Sequence, residues 1–144
     1  MAVTRNNPYS GFNFLVEIDG LVDAGFSEIS GLGHEIAVIE YREGSDRRGA
    51  ARKLPGLHKV GDVTLKRGLA GSLSLFQWLK AVRDGQPERR QVAVILMDEI
   101  GQPVMRWQLQ NAWPRKLTHG PLSAAGDIVA VEEMVLAVET IDIE

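Results

Sequence analysis

The sequence predicts a mainly β domain, an antiparallel β-sandwich or barrel with one flanking α-helix. Three observations carry this. Short runs of period-two alternation recur along the chain. Gly, Pro, Asn and Asp cluster between those runs as turn signals. A single segment shows 3.6-residue periodicity. Many strands with one helix fit a sheet that folds onto itself and packs the helix on its flank.

The elements follow in order. Residues 1–11, "MAVTRNNPYSG", are polar and broken by Asn-Pro, and read as a flexible arm. "FNFLVEID" is a strand with Phe12, Phe14, Val16 and Ile18 on its apolar face. Phe26 to Ser30 is a short strand, and Glu35 to Tyr41 another, with Ile36, Val38 and Glu40 on one side. Residues 42–59 hold three glycines and a proline without any sustained period, and read as a long irregular loop. Val60 to Lys66 resumes a strand with Val63 and Leu65 inward.

Residues 72–84 form the helix. Ser72 is placed to cap its first turn, Leu75, Phe76, Leu79 and Val82 make its apolar stripe, and Gly85 suits the left-handed stop. "QVAVILM" is apolar enough for burial on both faces. "DEIGQP" turns the chain into "VMRWQLQNAW", its antiparallel partner, with Met105, Trp107 and Leu109 on one side. After the Gly/Pro-rich "THGPLSAAGD", the stretch "IVAVEEMVLAVETIDI" reads as one long strand, bent at Glu132 and Glu133.

The chain's 144 residues make one domain, residues 1–144, large enough for a sizeable core. It has no cysteine, so disulfides and thiolate sites are excluded. The N-terminus lacks the apolar run of a signal peptide, and no stretch reaches the roughly 20 apolar residues that span a bilayer. His34, His58 and His119 sit at no metal-ligand spacing. No Gly-x-Ser-x-Gly elbow occurs, and Asp98 and Glu99 read as a solvated turn. Neither an enzyme nor a cofactor is expected.

The charge is unevenly placed. From Arg42 to Arg67 the chain carries a net of +5, and the remainder carries −8, giving −3 in total. Gly44 and Gly49 have P-loop spacing, but Ala50 and Ala51 stand where Lys and Ser/Thr are needed. A nucleic-acid-binding module is the alternative reading, because Arg47, Arg48, Arg52 and Lys53 can neutralise phosphates. The segment offers no aromatic side chain for base stacking between Arg42 and Val60. Opposite patches on one chain instead favour head-to-tail contact between copies, which closes into rings or runs on as filaments.

The chain resembles the tail tube proteins of contractile phages and phage-tail-like contractile injection systems. The ordered set "NPYSGFNFLVEIDG", "GFSEISGL", "EYREG", "KLPGLHKVGDVTLKRG", "LFQWL" and "RRQVAVILMDEIGQPVMRWQLQNAWPRKLTHGPLSAAGDIVAVEEMVLAVE" covers almost its full length. The resemblance implies homohexameric rings stacked into a hollow inner tube. It implies a sheath protein around that tube, baseplate and terminator proteins at its ends, and cargo protein or DNA in its lumen. Such a subunit is made in the cytoplasm and assembled into a phage tail or injection particle, without a membrane anchor. The loop from about residue 42 to 59 then contacts neighbouring subunits. Its interface residues are Arg42, Arg47, Arg48, Arg52, Lys53 and Lys59, with Leu54, Pro55 and Leu57 as apolar anchor. Glu17, Asp19, Glu132, Glu133 and Glu139 are the candidate lumen acids.

Overall fold

The computed structural model describes residues 5–23, 25–45, 47, 49–86 and 88–144, with only the backbone of Asp23. The chain runs β1 (Phe14–Ile18), β2 (Leu21–Asp23), β3 (Phe26–Ser30), β4 (His34–Tyr41), β5 (Arg52–Val60), β6 (Val63–Gly68), α1 (Ser74–Arg83), β7 (Arg90–Met97), β8 (Pro103–His119), β9 (Val131–Ala137) and β10 (Thr140–Ile143). The mainly β, antiparallel architecture with one helix is as the sequence predicts.

β8, 17 residues long, serves two layers. Its first half lies between β7 and β10, and its second half pairs with β9. The first layer is β2-β1-β7-β8-β10, and the second is β8-β9-β6-β3. The crossing point is Asn111, whose φ is 54°. There β8 gains one residue against β7, with Arg90 opposite Ala112 but Val92 opposite Leu109. Such a bulge bends a strand, and Asn tolerates the left-handed region better than most residues. The final stretch breaks at the same level, between Ala137 and Thr140, and Asn111 Nδ2 donates to Glu139 Oε2 at 2.8 Å. The bend therefore lies at Val138–Glu139, not at Glu132 and Glu133.

The core fills the space between the layers. Val16, Val92, Val94, Leu109 and Ile141 come from the first, and Val63, Leu65, Met134 and Leu136 from the second. α1 closes one side with Leu75 and Trp78. Its buried stripe is Leu75, Trp78, Leu79 and Val82, spaced i, i+3, i+4 and i+7. Phe76 and Trp78 are both expected from the sequence to pack against the sheet; Trp78 does, whereas Phe76 is one position off the stripe and 39% exposed. Trp78 Nε1 donates to the Glu88 carbonyl at 2.8 Å, which satisfies the buried indole.

The helix begins later than the sequence implied, with Leu73 as its N-cap residue. It ends at Gly85, φ 89°, where the Gln86 amide donates to Ala81 and the Gly85 amide to Val82. Phe12 lies before β1 and is exposed. Arg5 ties down the described part of the arm. It donates to the Asn7 and Pro8 carbonyls, lies 3.8 Å from the Tyr9 ring centroid, and pairs with Glu99 at 2.9 Å.

The expected irregular loop at 42–59 is corrected in its second half. From Arg52 onward it is β5, paired with β4 as a separate two-stranded sheet. Pro55 and Gly56 read as turn punctuation, yet they sit at a bulge where Val38 faces Pro55 and Ile36 faces His58. Gly56 eases the packing there, since a Cβ would lie 3.0 Å from the Ala37 carbonyl oxygen and 3.1 Å from Ile39 Cγ1.

Candidate assembly interface

The β4–β5 ribbon leaves the body through two short glycine-bearing connections, Gly31–Gly33 and Gly61–Asp62. Gly31 has φ 90°, and a Cβ on it would lie 2.1 Å from the Asp62 carbonyl oxygen, so only glycine lets the two connections meet. The register then sorts the ribbon's side chains. Ile36, Val38 and Pro55 share one face, and Ala37, Ile39 and Leu54 share the other. Both faces are open: Ile36 is 55% exposed, Val38 63%, Ile39 52% and Leu57 84%. A two-stranded ribbon is marginal by itself in water, and apolar residues on both of its faces favour cover on both.

Of the residues the sequence singled out, Arg52, Lys53, Leu54 and Pro55 lie on β5 opposite Tyr41, Glu40, Ile39 and Val38. Leu57 sits at the bulge, and Lys59 faces Glu35 with their charged groups 3.8 Å apart. Arg42 and Arg47 are exposed in the tip. Arg48 lies outside the described residues. Sequence reasoning missed the β4 half of the surface. Its signal was the run "IAVI" at 36–39, which places apolar side chains on both faces of any strand.

The candidate lumen acids do not share one surface. Glu17 lies on the outer face of the first layer, in a cross-strand row with Ala93, Gln108 and Asp142. Arg106 approaches Glu17 at 3.5 Å. Gln108 donates to Glu144 and Gln110 to Asp142, so carboxylates and amides cover its β8–β10 part, while Val22 of β2, opposite Glu17, is exposed on the same face. Asp142 and Glu144 belong to it and were missed, because the period-two face of so short a strand is set only by its register with β8. Asp19 occupies the β1–β2 turn, where its carboxylate accepts the Gln91 amide at 3.1 Å. Glu139 sits at the bend, paired with Arg89.

Glu133 shares a row with Lys66, Glu28 and Thr118, on the outer face of the second layer. It therefore lies on the opposite side of the sandwich from Glu17. Glu132 is corrected outright. It is 3% exposed and paired in the interior with Arg67, itself 5% exposed. Arg67 also donates to the Ser74 hydroxyl at 3.2 Å, tying α1 to β6, and His119 Nε2 lies 3.3 Å from Glu132. A carboxylate used in this way is no part of an open channel. At the β7–β8 turn, hydrogen bonds from Arg5 hold the Glu99 carboxyl down to about 2.

A two-layer β body with a polar outer face, bearing a ribbon apolar on both sides, is a structural subunit built for contact with other chains. The chain belongs to the family of the T4-like virus tail tube protein gp19, whose family model matches residues 10–142. A search of curated protein sequences finds no match. Among solved structures, it is similar to a chain of the sheath–tube complex of an extracellular contractile injection system, PVC, in its extended state. The identity is 28% over 95% of this chain and 91% of that one, with a TM-score of 0.85. A chain of the tube-terminating cap of the anti-feeding prophage is 26% identical, over 100% of this chain and 95% of that one, with a TM-score of 0.88. Hcp1 from Flavobacterium johnsoniae shares the fold alone, at 14% identity over 92% and 94% of the two chains and a TM-score of 0.56. The chain is a tail tube protein, a structural component of a phage-tail-like particle.

Proposed function

We propose that six copies of this chain close into a ring, and that rings stack into a hollow tube that conducts cargo. The observation that carries this reading is the β4–β5 ribbon, open and apolar on both faces. One neighbouring body covers one face, so a ribbon needing cover on both is suited to a packed array of copies. The basic tip, with Arg42 and Arg47, then meets acidic surface on an adjacent copy, which sets register and orientation more than raw affinity.

The outer face of the first layer lines the channel. Its Glu17, Asp142 and Glu144 carboxylates and its Gln108 and Gln110 amides hold water, so a passing protein or DNA finds little apolar surface to adhere to. The second layer and α1 face outward, toward a surrounding sheath. Baseplate and terminator proteins bind the tube's ends, as the relatives' assemblies suggest. The subunit is made in the cytoplasm and built into the particle there.

Negative-stain microscopy of the purified chain tests this directly. Rings about six-fold in symmetry, or hollow rods, are expected. A chain that stays monomeric at high concentration and in the presence of preformed tube ends would overturn the reading. The double variant Arg47→Glu, Arg48→Glu is expected to stay folded and form no ordered tubes.

A further inference from the structure

Alternation along β7 breaks at one position. Val92 and Val94 point into the core, so Gln91, Ala93, Ile95 and Met97 point to the outer face of the first layer. Gln91 is exposed and Ala93 half-buried on that face. Ile95 is 4% exposed, although it is no part of the cluster between the layers. A side chain on the outer face therefore covers it.

The register identifies the cover. Ile95 stands between Leu15 of β1 and Arg106 of β8. Arg106 Nη1 donates to Glu17 Oε2 at 3.5 Å, and Glu17 stands on β1 opposite Ala93. β7 lies between β8 and β1, which are roughly 10 Å apart at ordinary strand spacing. The pair therefore spans β7, between Ile95 and Ala93. Ala93 is small and leaves room for the two tips to meet, and the arginine stem lies along Ile95. Long basic side chains bury their stems in this way while the charged end stays in water. Arg106 is the one basic side chain among the described outward positions of β1, β7, β10 and the first half of β8. A partly exposed pair of this kind adds little to stability. Its larger effect is on what the surface shows to solvent.

We propose that Arg106, drawn across β7 by Glu17, is a cover that keeps Ile95 and Leu15 from the apolar side chains of a polypeptide cargo. This rests on the reading of the outer face as the channel lining. An extended or partly unfolded chain carries apolar side chains into the channel, and these settle on any apolar strip because contact there removes both from water. Val22, opposite Glu17, already lies open. With the arginine in place the open strip stops at Val22, and the guanidinium and carboxylate offer only groups that water also satisfies. Without it, Val22, Leu15 and Ile95 form one adhesive track across three strands.

The free subunit tests the cover in the absence of any tube. Arg106→Ser removes stem and charge, Glu17→Ala releases the guanidinium, and Arg106→Lys keeps a stem and a charge. The uncharged dye Nile red reads exposed apolar surface, with circular dichroism to show that each variant is folded. Dye fluorescence is expected to rise with Arg106→Ser and with Glu17→Ala, and to stay at the wild-type level with Arg106→Lys. The first two changes together are expected to give no more than Arg106→Ser alone, because they remove one cover. Adding Ile95→Ser to Arg106→Ser is expected to return the signal to the wild-type level. Equal fluorescence from the wild type and Arg106→Ser overturns the cover, as does a rise that Ile95→Ser leaves in place.

Assembled tubes test the cargo role. Tubes formed around a fluorescent, leucine-rich peptide are expected to release it more slowly when built from Arg106→Ser chains than from the wild type. Equal release, with the dye result as expected, overturns the cargo role and counts against the placement of this face in the channel. Failure of every form to assemble counts against the tube reading, and the dye result then decides the cover.

Discussion

At the scale of single residues, the interior ion pair and the buried indole of Trp78 have the largest predicted effects. Arg67 and Glu132 are both buried, so removing either leaves a charge without its partner in a poorly solvated place. Glu132→Ala is expected to lower unfolding free energy by about 3–5 kcal/mol in urea titrations. A change below about 1 kcal/mol would show that water or Ser74 compensates the arginine. Trp78→Ala is expected to lose about 3–5 kcal/mol as a core truncation, and Phe76→Ala well under half of that, since Phe76 is partly in water. The same chemical denaturation series reads both. Glu99 offers a pH prediction. Its folded value is depressed, from 4.5 to about 2, chiefly by the hydrogen bonds of Arg5. The stabilisation that the Arg5–Glu99 pair gives is therefore fully present above about pH 4.5 and is lost as pH falls through about 2. A carboxyl titration by NMR with its midpoint near 4.5 would contradict this, and Arg5→Ala is expected to produce that midpoint.

At the scale of elements, the β4–β5 ribbon is separate from the core that stabilises the body. Its side chains are exposed, so Val38→Asp on one face or Leu54→Asp on the other is expected to shift monomer stability by no more than about 0.5 kcal/mol. Each change nevertheless puts a carboxylate into a surface that assembly buries, where an unpaired charge is strongly unfavourable. Loss of tubes in sedimentation assays, with an unaltered melting curve, is the expected pair of results. Normal tubes from both variants would mean that the ribbon stays in solvent. The helix shows the opposite case. Its spacing exposed it in the sequence, which placed both Phe76 and Trp78 against the sheet, because a stripe of width i, i+1 fits the apolar letters as well as i, i+3 does. Only the sheet beneath α1 separates the two, burying Trp78 and leaving Phe76 partly exposed.

At the scale of the whole molecule, the charge split is a property of placement as much as of composition. The basic tip stands on a ribbon away from the body, while Glu17, Asp142 and Glu144 share one outer face. Exposed charges across a subunit contact are screened by salt, with a Debye length near 10 Å at about 0.1 M and near 3 Å at about 1 M. Tube assembly from purified chain is expected to weaken over that range. Assembly that strengthens with salt throughout would show that apolar cover dominates and that the arginines are incidental.

Period and punctuation alone determined the mainly β class, the single helix, most of the strands and the segment that stands apart in charge. These are local properties: side-chain alternation and turn chemistry act over a few residues and survive in the letters. The tertiary structure decided which strands share a layer, that β8 crosses between layers at Asn111, and that Glu132 turns inward to meet Arg67. It also decided that residues 52–60 form a strand despite Pro55 and Gly56. Each of these depends on register between segments far apart in the chain, and a shift of one residue exchanges the two faces of a strand.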